Sequence, residues 1–151
     1  MTHDRAVQQA VDEYLEMVVG AMVDYCASSE VDRMWVYTDL GHETIETTPF
    51  FRFRGRFLNH GELAEADADH GYDPFSLMFG FDSEVQLALV DALRASGRVP
   101  ERIITTHHPS GELTASQWDY EGVLENPEES YGQARDRWIR QMGGKPIFSN
   151  E

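Results

Sequence analysis

A hairpin pattern occupies residues 101–120, which read ERIITTHHPSGELTASQWDY. Two extended runs, Glu101 to His107 and Glu112 to Tyr120, flank Pro109-Ser110-Gly111, a combination of residues typical of tight turns. Strands joined by so short a turn pair in antiparallel fashion, because a parallel pair needs a long crossover connection. The segment therefore predicts an antiparallel sheet.

Two more strands are predicted upstream of this hairpin. The run Arg33 to Asp39 is rich in aromatic and β-favouring residues, and Thr48 to Leu58 alternates apolar with charged side chains. The alternation places three phenylalanines on one side and three arginines on the other, namely Phe51, Phe53 and Phe57 against Arg52, Arg54 and Arg56. We expect the arginines to face water or carboxylates of a neighbouring strand.

Three helices complete the pattern. Asp4 to Ser28 carries apolar residues at spacings of three and four, with Thr2 or Asp4 as the cap. Ser83 and Gln86 form a capping-box pattern at the start of Asp82 to Ser96. The last helix is predicted to begin at Asn126. This order predicts an α+β fold in one domain of residues 1–151, an antiparallel sheet of about four to five strands with three helices packed mainly on one face.

Residues 59–81 lack a regular pattern and predict a long loop, which in a compact domain is unusual and often functional. We refer to these residues as the acidic segment. Five large apolar side chains near its end are expected to anchor the loop in the core: Phe75, Leu77, Met78, Phe79 and Phe81.

Acidity dominates the composition. Twenty-seven Asp and Glu residues face twelve Lys and Arg residues, a formal net charge of −15. This balance argues against binding of nucleic acid or an anionic membrane surface, since both require a basic face. It favours basic proteins as partners. The charges are also segregated, because residues 57–93 and 103–134 contain no Lys or Arg.

The remaining composition predicts a cytoplasmic protein. No apolar run approaches the roughly 18 residues of a membrane span, and the start of the chain does not resemble a signal peptide. Cys26 is the single cysteine and lies in the apolar stripe of the first helix, where an inert buried thiol is expected.

The sequence carries weak signals for catalysis. Adjacent strand residues point to opposite faces, so His107 and His108 are poorly placed to share a metal ion. Asp67, Asp69 and His70 could ligate a hard cation, but the rest of a calcium-loop pattern is missing. The motifs of zinc proteases, hydrolase nucleophiles and phosphate loops are absent from the sequence. We therefore predict no metal, no cofactor and no enzymatic activity.

The tryptophans divide in a similar way. Trp35 and Trp138 occupy strand and helix positions that indicate the core. Trp118 and Tyr120, next to Asp119 and Glu121, form either a polar-rimmed aromatic surface or an ordinary strand end.

The order of motifs resembles that of the YezG-like immunity proteins, which are bacterial antitoxins. The matching features begin with an amphipathic helix, followed by the strand Met34-Trp35-Val36-Tyr37-Thr38 and the Phe-rich strand at 50–53. A mid-chain helix that ends before a proline comes next, then a hairpin leading into Trp118-Asp119-Tyr120-Glu121 and a last helix with Arg137-Trp138. The resemblance covers roughly residues 5–142. The acidic insertion at 62–73 has no counterpart in that pattern. The resemblance implies an α+β fold and tight binding to a toxic enzyme, often a nuclease, without cofactor or catalysis.

Together these observations predict an immunity protein that occludes the basic surface of a cognate bacterial toxin. The first predicted contact set is acidic: Glu62, Glu65, Asp67, Asp69 and Asp73. The second is Asp119, Tyr120 and Glu121, for which a purely structural role is an equal alternative. Two other functions remain open, an acidic adaptor or chaperone for a secreted effector and a small metal-dependent enzyme.

Overall fold

The computed structural model describes residues 3–26, 30–41, 44–111 and 113–146. The side chains of residues 3, 4 and 74 are excluded from this description. The elements in chain order are α1 (His3–Tyr25), β1 (Val31–Asp39), β2 (Glu46–Phe53), β3 (Arg56–Asn59), α2 (His60–Ala66), a 3-10 turn (Ala68–His70), α3 (Pro74–Phe79), α4 (Ser83–Ser96), β4 (Arg102–His108), β5 (Leu113–Asp119) and α5 (Tyr131–Gln141).

The strands form one antiparallel sheet in the order β3-β2-β1-β4-β5. The predicted α+β class and strand number are therefore confirmed. The described residues form five α-helices, two more than predicted, because α2 and α3 lie where a loop was expected.

α1 covers one face of the sheet through the stripe that its sequence predicts. Val11, Tyr14, Val18 and Met22 are buried in the main core, which also contains Met34, Phe51 and Ile103 from three strands, Leu63 from α2, Leu77 from α3 and Leu89 from α4. The Tyr14 hydroxyl lies 2.7 Å from the Thr38 hydroxyl, so its polar atom is satisfied under the central strand. The predicted helix over 4–28 ends earlier, at Tyr25, and Cys26 is only partly buried. Thr2 and the Asp4 side chain, the predicted caps, lie outside the description.

Of the helices in the described ranges, α5 is the one that packs on the other face. Trp35, Phe50, Phe57 and Trp138 form a second aromatic cluster there with Ile139. Trp35 and Trp138 are thus core residues, as predicted. Four helices contribute to the main core and one to this cluster, so the helices do pack mainly on one face.

The run 48–58 is a hairpin and not the single strand that its alternation predicts. Arg54 and Gly55 adopt positive φ angles of 50° and 76° and form a two-residue turn between β2 and β3. The turn shifts the alternation, so Phe57 lies opposite Arg52 on the α5 side, whereas Phe51 faces the main core.

The carboxylate partners predicted for the arginines of this run are present for Arg52 in β2 and for Arg54 in the turn. Arg52 makes two hydrogen bonds to Asp32, at 2.8 and 2.7 Å, and Arg54 makes one to Glu30 at 2.7 Å. Both acids come from β1 or the residue before it, so these ion pairs on the surface link the start of β1 to the end of β2 and the turn that follows it.

Two helix starts differ from prediction. Asp82 caps α4 by accepting from the Glu84 amide at 2.8 Å, in place of the predicted Ser83. α5 begins after Ser130, which forms a capping box with Gln133, and not at Asn126. α4 ends at Ser96 as predicted, and Gly97 caps it with a left-handed φ of 78°.

The hairpin that opened the sequence analysis is confirmed, as β4 and β5 pair from Arg102–Asp119 to His108–Leu113. Its bounds shift from those predicted by one residue at each strand end. No helix within the described ranges is both long and apolar enough to cross a membrane.

Candidate partner-binding surface

The acidic segment is folded into short helices that begin at β3. The Asn59 side chain accepts from the Glu62 amide at 2.8 Å, and the Glu62 carboxylate accepts from the Asn59 amide at 3.0 Å. This capping box starts α2, and the fully buried Leu63 fixes α2 to the main core. The Glu62 carboxylate is therefore engaged in a helix cap.

Asp67 also has internal partners. It is buried, accepts from the Tyr72 hydroxyl at 2.8 Å, and lies 2.6 Å from Nδ1 of His70. Burial opposes ionisation of Asp67, but the hydrogen bonds from Tyr72 and His70 outweigh it and hold its pKa below the ordinary value. Asp67 thereby ties the 3-10 turn to the residues that lead into α3.

The other three predicted acidic contacts present charge to solvent. Glu65 and Asp69 are exposed. Asp73 is exposed as well, although its side chain accepts from the Phe75 amide at 3.1 Å and so caps α3. The first contact set therefore separates into two residues with structural roles and three with carboxylates at the surface.

α3 is apolar on two sides. Leu77 and Phe81 are 1% and 7% exposed and point into the main core, so the predicted anchoring of the segment is confirmed for these two. Phe75, Met78 and Phe79 are 74%, 48% and 85% exposed, so the prediction that they are buried is wrong. Their spacing of three and four residues places them on one face of α3. We call these three residues the aromatic patch.

The sequence contained a signal for this patch. Asp73 followed by a proline is a helix start, and read from there the apolar residues form two i, i+4 pairs, Phe75 with Phe79 and Leu77 with Phe81. In α3, which ends at Phe79, Leu77 faces the core together with Phe81, two residues beyond the helix, and the pair Phe75 and Phe79 stays outside. A loop prediction for this segment does not show which apolar pair faces the core and which faces solvent.

The second predicted contact set is mostly engaged within the molecule. The Arg102 Nε donates to Asp119 at 2.6 Å. Burial pushes the pKa of Asp119 upward, but hydrogen bonds from Arg102 and Gln117 outweigh it and lower the pKa overall. The Arg98 guanidinium lies 4.0 Å from the centre of the Tyr120 ring. Only Glu121 of this set is exposed.

Trp118 does not form the open aromatic surface that was one alternative. It is partly buried and packs against the main core, with its ring 6.3 Å from that of Tyr120. The structure therefore matches the other alternative, an ordinary strand end.

The two contact sets lie at opposite edges of the sheet. α2 packs against β2 and β3, whereas Asp119 ends β5 at the far edge. Four strand spacings separate these edges, about 19 Å. The first contact set thus lies in the acidic segment, where exposed carboxylates and exposed aromatic side chains occur together.

Other chemistry-bearing groups have ordinary structural partners. Within the described residues, no three His, Cys, Asp or Glu side chains are arranged to hold a metal ion. Nδ1 of His107 lies 2.7 Å from the Thr114 hydroxyl in the sheet.

A cleft of about 380 Å³ beside α4 is lined in part by Glu101 and Tyr131. The hydrogen bond to Glu101 raises the pKa of Tyr131 to about 12, so this phenol stays protonated at neutral pH.

Comparison with models of protein families and with curated proteins found no match to this chain. The resemblance to the YezG-like immunity proteins therefore rests on the order of motifs in the sequence. The fold and the surface define a more general class, an acidic α+β protein with an exposed aromatic patch in a segment that contains no Lys or Arg.

Proposed function

We propose that the protein is an immunity protein, which binds a cognate bacterial toxin and neutralises it by occluding its basic surface. The observation that carries this proposal is the aromatic patch on α3, exposed within a stretch that contains no Lys or Arg from residue 57 to residue 93. The order of motifs described above supplies the class of partner.

The aromatic patch supports binding to a protein. Phe75 and Phe79 leave most of their rings in water, although burying a phenylalanine side chain is worth about 1.5–3 kcal/mol. Clustered exposed apolar residues with a polar rim mark interaction surfaces, and aromatic side chains are common among the residues that dominate binding energy. The patch is supported from below by Leu77, so it is held in place before a partner arrives.

The carboxylates around the patch favour a basic partner. Asp73 precedes the patch directly, Asp82 follows it on the cap of α4, and Glu65 and Asp69 belong to the same segment. These groups would form charge-assisted hydrogen bonds with Arg and Lys. A nuclease is basic where it holds phosphates, so carboxylates placed there would exclude the substrate.

Co-expression with the product of the adjacent gene tests the activity. We expect the wild-type chain to restore growth of bacteria that produce the product of the adjacent gene. In a purified mixture, the wild-type chain should abolish the enzymatic activity of that product. An adaptor or chaperone would raise the solubility of the adjacent gene's product and leave the activity of that product intact, and this outcome would contradict the proposal. Absence of any interaction with a toxic neighbour would do the same.

Binding measurements with paired variants test the surface. We expect Phe75→Ala/Phe79→Ala to weaken binding by at least about tenfold. The matched control is Leu87→Ala/Val99→Ala, which truncates two exposed apolar side chains elsewhere and should leave affinity unchanged. Equal affinities for both variants would remove the aromatic patch from the interface.

Charge reversal gives a second arm. Glu65→Lys/Asp69→Lys should slow association and flatten its dependence on salt, because rim charges act mainly on the encounter. The control Asp12→Lys/Glu13→Lys makes the same change in net charge on exposed residues of α1. If both variants slow association equally, net charge and not the acidic segment is responsible.

A further inference from the structure

The outer edge of β5 is open along most of its length. Within the described residues β5 pairs with β4 alone, and it is the last strand of the sheet. Residues 113–117 are all exposed, although successive residues point to opposite faces of the sheet. In the part of the chain that the structure describes, no helix therefore covers either face of this stretch, and the backbone groups directed away from β4 are open to water.

This edge lacks the features by which proteins usually prevent edge pairing. Such features are lysines, prolines, inward charges, bulges and short length. Residues 113–118 contain no charged residue, no proline and no glycine, and the β4–β5 register is continuous over seven residue pairs. The other edge strand, β3, is four residues long and leads directly into α2.

The lack of charge on residues 113–118 also indicates which partner can pair with the β5 edge. A chain with a net charge of −15 repels its own copies over most of its surface. Charged residues stand only next to the exposed stretch, Glu112 before it and Asp119 at its end, and Asp119 is already paired with Arg102. A basic partner would gain no electrostatic attraction here, whereas a second copy of the chain meets little repulsion.

We infer that β5 is a self-association edge, through which two copies of the chain pair their β5 strands antiparallel around a two-fold axis. Centred on Ser116, this pairing sets Ala115 opposite Gln117 and Thr114 opposite Trp118 of the second copy. The two sheets become one continuous sheet. The interface is isologous, the commonest arrangement in oligomers. The inference is independent of toxin neutralisation, since α2 lies at the other edge of each sheet.

A dimer of this kind is weak and depends on concentration. One pair of seven-residue strands buries less than the roughly 1,200–2,000 Å² of a typical stable interface. Sedimentation equilibrium from about 5 µM to about 1 mM covers the relevant range of dissociation constants. We expect the average mass to rise from 17.2 kDa towards twice that value. A mass of 17.2 kDa at every concentration would overturn the inference.

Charge variants locate the interface. In Ala115→Lys/Gln117→Lys each lysine faces a lysine of the second copy, and we expect the dissociation constant to rise by about tenfold or more. The matched control is Ala88→Lys/Ala95→Lys, which adds the same charge on exposed positions of α4 and should still dimerise. An equal loss in both variants, or a dimer that persists in the β5 variant, would assign self-association to another cause or surface.

Charge complementation keeps the test independent of folding defects in one variant. Ala115→Glu/Gln117→Glu should also be monomeric alone, and mixing it with Ala115→Lys/Gln117→Lys should restore a mixed dimer, because each glutamate then faces a lysine. Failure of the mixture to associate, with both variants folded by circular dichroism, would overturn the proposed pairing.

Discussion

At one edge of the sheet β3 is four residues long and continues into α2, whereas at the other β5 is seven residues long and its first five residues, 113–117, are exposed. The first edge carries the acidic segment and the aromatic patch, and the second carries almost no charge. The aromatic patch is thus exposed among carboxylates, whereas the exposed residues of β5 carry no charge and leave backbone groups open. The two edges are suited to different kinds of contact, side chains at one and backbone at the other.

The largest expected change in stability comes from a substitution in the acidic segment, at the first edge. Phe81→Ala should destabilise the protein by about 3–5 kcal/mol, because Phe81 is 7% exposed and packs in the main core. Phe79→Ala, two positions earlier, should change stability by less than about 0.5 kcal/mol, because that ring is 85% exposed. Urea denaturation measures both, and similar losses would mean that α3 does not separate anchoring from display.

A smaller effect is expected at the second edge. Asp119→Asn should cost about 1–2 kcal/mol, because it weakens the charged hydrogen bond from Arg102 at 2.6 Å. Glu121→Gln, an exposed carboxylate two residues later, should be neutral within about 0.5 kcal/mol. Thermal or urea unfolding at neutral pH distinguishes the two. A neutral Asp119→Asn would return Asp119 to the candidates for partner contact.

The same pair predicts a pH dependence. The pKa of Asp119 is lower in the folded protein than its ordinary 3.8, so its contribution to stability is present above that value and is lost as the pH falls below it. The stability difference between wild type and Asp119→Asn should therefore be constant near neutral pH and shrink below about 3.8. A difference that grows in acid would contradict the hydrogen-bonded arrangement.

The smallest effect concerns hydrogen exchange. At low protein concentration the outward amides of residues 113–117 should exchange quickly, since water reaches them directly. At high concentration self-association should slow them, while amides of the acidic segment keep their rates. Exchange–mass spectrometry at two concentrations checks this, and a slowing confined to the acidic segment would reverse the roles given to the two edges.

The regular parts of the fold follow from local patterns. α1 and the β4–β5 hairpin were predictable because each has a period and a boundary signal within a few residues. The β2–β3 turn was not, because alternation of Phe and Arg continues through Arg54-Gly55 and hides the reversal. The start of α5 was ambiguous, since Asn126-Pro127 and Ser130 with Gln133 are both good starts and only the second begins the helix.

The candidate site was predictable in charge but not in shape. Counting residues locates the acidic segment, whereas α2 and α3 are too short to be stable without tertiary contacts. Their anchors, Leu63 and Leu77, are identified only by the core into which they pack. The sequence likewise could not show that Asp67 and Asp119 have partners inside the molecule, because those partners depend on the fold.

The two-sided arrangement of α3 has a consequence for how this surface can change over generations. Leu77 and Phe81 hold the helix, and the Gly80 backbone approaches α1 so closely that a side-chain carbon there would lie 2.8 Å from the Ala21 methyl carbon. The side chains at positions 75, 78 and 79 are exposed and do not anchor the helix. A lineage can therefore substitute these three residues and acquire a new binding preference without a matching change in the framework beneath them.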